Sequence, residues 1–315
     1  MLNRRLIRIK VFKVLYASEA SGAVSLPAAE KELMLSCSKT PDLYYFLLNI
    51  LPALKALAGQ KIETGKNKFN PTESELNAST RLVDNKFIAL LEQDDKFVSI
   101  CEKKGFGWGD YDVFIKKLYA SIVASDYYQE YMSAPESSLE ADCMFCSRIF
   151  EEELEDNEML WDLLEEMSIY WADDLGYVLN VIIRATGIVA EGGGLPHPGA
   201  FLKDDDREFA IKLLEASALN YDKYLKVVEE NVPNWDPDRI VSVDACLVVM
   251  GIAEAVAFPS IPVKVTINEY VDISKFYSTP NSRVFVNGLL DVILRKKMES
   301  GEIVKQGRGL YEGSK

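Results

Sequence analysis

Histidine is nearly missing from this chain: its 315 residues contain one, His197. A Ser-His-Asp or Cys-His catalytic arrangement would have to rest on that residue, which stands between two prolines in a glycine-rich segment. Cysteine is also sparse. Cys37, Cys101, Cys143, Cys146 and Cys246 are odd in number and unevenly spaced, which argues against an extracellular disulfide framework. Cys143 and Cys146 have CxxC spacing, but a second CxxC and paired histidines are lacking, so they read as small apolar core residues and no metal is expected. No stretch approaches 18 uninterrupted apolar residues, and no apolar block with a small-residue cleavage site follows the basic N-terminus. A soluble, cytoplasmic protein with no membrane partner is therefore expected. The triple glycine in 191–201 (EGGGLPHPGAF) lacks both the preceding strand and the GK[ST] ending of a phosphate-binding loop. Neither a cofactor nor an enzyme is indicated.

What remains is a chain of ordinary globular composition, 48% hydrophobic and 27% charged, with an uneven charge map. Residues 126–174 hold sixteen acids against one base, Arg148, a local charge of −15. The whole chain carries −14, so everything outside that stretch is close to +1. Residues 1–18 are the opposite extreme, with Arg4, Arg5, Arg8, Lys10 and Lys13 and no acid. A near-neutral body thus carries a basic first helix and one acidic insert. Met159, Leu163, Met167 and Tyr170 recur at helical spacing inside the acidic stretch, which predicts a solvated acidic face over a buried one.

The periodicity is helical throughout, and the fold class read from it is all-α. Residues 3–20 form a first helix that Asn3 caps and Gly22 ends. Further helices are expected over 28–36, 42–58, 73–94 and 111–131, with loops at 61–71 and 103–110. After the breaker at 191–201, a single helix is expected over 204–230. Asp236-Pro237 starts the next, which runs to Phe258. Thr266 and Glu269 have capping-box spacing for a helix ending near Tyr277, and 282–298 is the last, closed by Gly301 before a short frayed tail. In domain terms this gives a basic helix (1–24), an additional helical region acidic at 126–174 (25–203), a C-terminal bundle (204–300) and a flexible tail (301–315).

The first helix is the most informative element chemically. At about 100° per residue, Arg4, Arg8 and Arg5 fall at about 0°, 40° and 100°, with Phe12 and Tyr16 at about 80° and 120°. Guanidinium groups and aromatic rings share a face. That pairing suits single-stranded RNA, where arginines meet phosphates and a ring stacks on a splayed base. The alternative is an amphipathic helix with solvated arginines and Phe12 and Tyr16 in the core.

Three motifs then occur in order: NWDPDRI at 234–240, IPVKVTINE at 261–269 and RVFVNGLLD at 283–291. With the RRLIR and VLY segments of the first helix, at 4–8 and 14–16, they resemble the NusB family of transcription antitermination factors. The family's usual wording is close to VPxKVAINEAVELAK followed by KFVNGVLDK. The resemblance covers about residues 1–20 and 204–298. It implies an all-helical fold of two small bundles, here enlarged by the acidic helical region, and a non-catalytic role. Family members bind the single-stranded boxA element of ribosomal RNA leaders, together with the ribosomal protein NusE, in a complex that keeps RNA polymerase elongating. By matching positions, Arg4, Arg5, Arg8 and Tyr16 lie on the RNA-contacting first helix. Asn281 and Phe285 lie on the RNA face at the start of the last helix, and Asp244 matches the acid turned towards NusE. The chain departs from the pattern at Val284, Thr266 and Tyr270, where the family has lysine, alanine and alanine. Phe285 is also at core spacing with Ile267, Val271 and Leu289, so both a core and a stacking role stand open for it. The competing function is a protein-interaction scaffold of this fold with weak or no RNA binding, its acidic insert meeting basic partners. The RNA-methyltransferase variant of the fold is disfavoured by the missing Rossmann glycine fingerprint.

Overall fold

The structure, a computed structural model, describes residues 1–22, 25–232 and 243–310. It is all-α: among the described residues the one β feature is an isolated bridge between Leu2 and Phe201. The helices in chain order are α1 (Arg4–Ser21), α2 (Leu26–Leu48), α3 (Ile50–Lys66), α4 (Glu73–Leu76), α5 (Lys86–Gln93), α6 (Asp95–Lys104), α7 (Asp112–Ala124) and α8 (Asp126–Ser133). They continue as α9 (Leu139–Glu152), α10 (Glu158–Met167), α11 (Leu175–Ala190), α12 (Asp206–Ala218), α13 (Tyr221–Glu230), α14 (Val243–Ala257), α15 (Val263–Tyr277) and α16 (Ser282–Glu299). Two compact units emerge. One joins residues 1–37 to 201–315, and the other is the continuous stretch 38–200.

In the first unit α14 is the central helix. Its sequence from Ala245 to Ala255 is buried on every side, as a helix apolar all round requires. α1, α12, α13, α15 and α16 pack around it. α1 begins as its sequence demands, with the Asn3 side chain accepting from the Leu6 amide at 3.0 Å, and ends at Gly22 in the left-handed conformation.

The second unit packs α9 against α11 and α5, with α3, α7 and α8 closing the set. Its centre is aromatic. Trp108 stacks on Phe46 (4.3 Å between centroids) and on Phe114 (5.2 Å), and Trp171 stacks on Phe46 from elsewhere (5.3 Å). The acidic stretch is part of this core. α9 buries Cys143, Phe145, Cys146, Ile149 and Phe150 while its glutamates face out. Burial raises the Cys143 thiol to about 11. The loop at 191–201 is pinned by His197, which lies 3.2 Å from the Asp94 carboxylate and 3.2 Å from the Tyr45 hydroxyl.

Several expected boundaries move, each for a physical reason. The helices expected at 28–36 and 42–58 are replaced by α2, which runs through Pro41, and α3, with the break at Asn49. An internal proline costs about 3 kcal/mol. Leu43, Tyr44, Phe46, Leu47 and Leu48, immediately after it, are all fully buried, and each such side chain returns about 1.5 to 3 kcal/mol. The 73–94 helix is split: Thr72 and Glu75 form a capping box for the single turn of α4, and Asn85 caps α5 afresh. Ser125 divides 111–131 by going extended to cap α8. The 204–230 helix breaks at Leu219 and Asn220. Thr266 is not a cap. α15 starts earlier, after Pro262, and Thr266 sits fully buried inside it, donating to Glu254 at 2.9 Å. The Asp236-Pro237 start lies outside the described residues. The tail is docked, not frayed, as far as residue 310: Ile303 is buried and the Gln306 amide donates to the Pro259 carbonyl at 3.0 Å.

Candidate nucleic-acid interface

The basic residues of α1 are positioned by carboxylates from far along the chain. Arg4, half-exposed, donates from Nη2 to Asp205 (2.7 Å) and from Nε to Asp206 (3.1 Å), with its guanidinium 4.8 Å from the Phe209 ring centroid. Arg5, the most exposed of the three, forks onto Glu269 (two contacts of 3.1 Å) and reaches Asp272 at 2.8 Å. Hydrogen bonding to Glu269 raises the Arg5 pKa further above its ordinary value.

Arg8 is different in kind. Its side chain is 4% exposed and makes a two-point pair with the fully buried Glu254, 2.6 Å from Nε and 2.9 Å from Nη2. Thr266 Oγ1 and the Tyr270 hydroxyl donate to the same carboxylate at 2.9 and 3.1 Å, and Arg8 Nη1 lies 3.4 Å from Glu269. Burial alone would lower the Arg8 pKa; the charge and hydrogen bonds of Glu254 outweigh it and leave it raised. The shared arginine face is thus divided by depth. Arg4 and Arg5 are at the surface, whereas Arg8 is a core ion pair whose donors are already engaged, so the structure corrects the expectation of three exposed arginines.

At the other end of the helix Phe12 is buried and Tyr16 half-exposed, their rings 5.9 Å apart. Tyr277, from the last turn of α15, closes on Phe12 at 5.5 Å, and Lys13 Nζ lies 5.6 Å over the Tyr277 ring. The sequence reading missed Tyr277, although a ring at the end of the motif-bearing helix was there to be noticed. On α16, Asn281 is exposed at the N-cap position with no side-chain cap bond, and Phe285 is half-buried. Asp244 opens α14 with both carboxylate oxygens occupied, by Ser278 Oγ (2.6 Å) and Ser282 Oγ (2.7 Å), which ties it to the start of α16. Chemically, the surface residues offer two guanidinium groups, Arg5 on partly exposed carboxylates and Arg4 shared between the exposed Asp205 and the buried Asp206, together with the half-exposed rings of Tyr16 and Phe285. That set can hold phosphate and stack on a base.

Among the described residues no group of three or more histidines, cysteines or acids is placed to hold a metal ion, and no helix is long and apolar enough to cross a membrane.

Residues 198–295 match the sequence profile of the NusB family. The transcription antitermination protein NusB of Salinibacter ruber is 36% identical over 104 residues, which is 33% of this chain and 65% of that protein. The protein of the same name from Methylacidiphilum infernorum is 38% identical over 94 residues, 30% of this chain and 66% of its own length. That from Chloroherpeton thalassium is 33% identical over 106 residues, 34% of this chain and 50% of its own. The chain therefore spans about half to two thirds of the length of these relatives. No solved structure matches. With the motifs at 261–269 and 283–291 lying on α15 and α16 of one unit, residues 198–295 are a NusB-family domain.

Proposed function

We propose that the protein is an RNA-binding transcription antitermination factor, which binds a boxA-type single-stranded RNA together with NusE and supports elongation by RNA polymerase. The observation that carries this reading is the packing of the basic first helix into the same unit as the NusB-family domain, with Arg4 and Arg5 at the surface. Arg4 and Arg5 take phosphates, Tyr16, Asn281 and Phe285 meet bases or sugar, and Asp244 belongs to the NusE side. Arg8 acts through Glu254 and Glu269 as the residue that positions the helix. The carboxylate partners do not forbid this. Exposed ion pairs are worth about 0 to 1 kcal/mol, so phosphate can displace Asp205 or Asp272, while a buried pair such as Arg8–Glu254 cannot be exchanged at that cost.

The test is equilibrium binding of a short boxA-type RNA across a salt series, with and without NusE. Replacing Arg4 and Arg5 together by alanine should flatten the dependence of log affinity on log salt by about 0.7 for each phosphate that is no longer neutralised. Tyr16→Ala should instead weaken binding by roughly 1 to 3 kcal/mol at every salt concentration, leaving the slope nearly unchanged. A scaffold with little RNA affinity is the second reading, favoured by one observation: Arg4, Arg5 and Arg8 all hold carboxylates of their own chain. Absence of salt-dependent binding, or an unaltered slope in the double variant, would decide for it.

A further inference from the structure

The segment after α16 brings one more arginine to the same end of α1. An open depression of about 560 Å³ is lined by Arg4, Arg8, Ser260, Pro262, Val265 and Arg308, among others. Arg4 and Arg8 are each neutralised by carboxylates. Arg308 is exposed and, among the described residues, makes no hydrogen bond or ion pair, so it supplies the uncompensated charge of the depression. Its backbone is held firmly. Gly307 takes a positive φ of 54°, and a Cβ at Gly309 would fall 2.0 Å from the Pro259 carbonyl oxygen, so only glycine lets the chain approach there. Before them, Lys305 Nζ donates to the carbonyls of Ala255 (2.7 Å) and Phe258 (3.1 Å) at the end of α14. A guanidinium fixed at its root and free at its tip loses little backbone entropy on gripping a ligand.

We propose that Arg308 is a phosphate-binding residue for the single strand, taking the phosphodiester next to the one at Arg4, with Pro262 and Val265 as the apolar floor beneath the sugar. This rests on the RNA-binding reading above and extends it to a residue outside the family match, which ends at 295. Arg308 donates two parallel N–H bonds to the non-bridging oxygens, an arrangement a lysine reproduces in charge but not in geometry.

The experiment uses the full chain and a short boxA-type RNA in a salt series, with thermal unfolding as the control for folding. Arg308→Ala should lose roughly tenfold in affinity at low salt, and its slope should fall by about 0.7, with unfolding unchanged. Arg308→Lys should keep the parent slope. Gly309→Ala retains the charge but displaces its root, and should weaken binding as well. If the parent binds while Arg308→Ala keeps both its affinity and its slope, the inference fails and the RNA reading stands. If the parent binds no RNA, both fall. A millimolar inorganic phosphate arm separates the remaining source: stabilisation by phosphate that Arg308→Ala abolishes, with RNA binding unaffected by that variant, makes the depression a small-anion site and overturns the proposal.

Discussion

Replacing Arg8 by alanine is expected to cost about 3 to 5 kcal/mol of stability, because it strips the cation from a carboxylate that has no access to water. Glu254 is fully buried, and Thr266 and Tyr270 would remain as its neutral donors. Glu254→Ala should cost a similar amount by stranding the guanidinium. Arg8→Met combined with Glu254→Leu should recover most of either loss, since apolar residues of similar volume remove both desolvation costs. Arg5→Ala is the comparison: its side chain is 48% exposed, and its pairs are worth under about 1 kcal/mol. Urea unfolding of the four proteins measures this, and an Arg8→Ala loss no larger than that of Arg5→Ala would contradict the buried-pair account. The result bears on function, because an RNA defect in Arg8→Ala reports undocking of the first helix and not the removal of a phosphate ligand.

Asp142→Ala is expected to cost about 3 kcal/mol in the other unit, since hydrogen bonds to a charged group are worth about 1.5 to 3 kcal/mol and buried donors left unpaired cost about 1 to 3. Asp142 is fully buried on α9. Its Oδ1 accepts from the Tyr131 hydroxyl and its Oδ2 from the Lys86 amide, both at 2.8 Å, so it joins α8 to the first turn of α5. Asn85 beside it is also fully buried, with its Nδ2 3.1 Å from the Tyr131 hydroxyl. Asp142→Asn keeps one carbonyl acceptor and should lose about half as much. Three of the four tryptophans, Trp108, Trp161 and Trp171, lie within 38–200, so with the fourth removed as Trp235→Phe, tryptophan fluorescence follows this unit during urea unfolding. A midpoint unchanged in Asp142→Ala would show that the network contributes nothing net.

How much of this was legible in the sequence depended on how local each signal was. Asn3, Gly22 and the all-helical periodicity act over a few residues, and the structure follows them. The depth of Arg8 was not legible. On the helical wheel it lies between Arg4 and Phe12, one exposed and one buried, and its side is decided by Glu254, 246 residues away in sequence. Thr266 and Glu269 illustrate the same limit: their spacing fits a cap, but Pro262 starts α15 earlier and frees both side chains to serve α1 and α14. The division of the 204–230 segment had only Asn220 to mark it, with no glycine or proline. Arg308 carried no pattern of its own, and its place follows from two glycines, Gly307 with its positive φ and Gly309 packed against the Pro259 carbonyl.

The carboxylate partners of Arg4, Arg5 and Arg8 lie 201 to 267 positions downstream, so their pairing during synthesis waits on the rate of the ribosome. At roughly 5 to 20 residues per second, the carboxylates that receive Arg5 are made on the order of 13 to 50 seconds after it, and those of Arg4 somewhat sooner. The stretch 38–200, a compact unit in its own right, is complete in that interval. The emerging polypeptide thus passes through a stage in which one folded body trails an unsatisfied basic, apolar helix. This is the stage at which a chaperone would find that helix unclaimed. Moving the helix to the C-terminus by circular permutation would abolish the delay, and it should raise the yield of newly synthesised folded protein while leaving refolding of the finished chain and its fold unchanged.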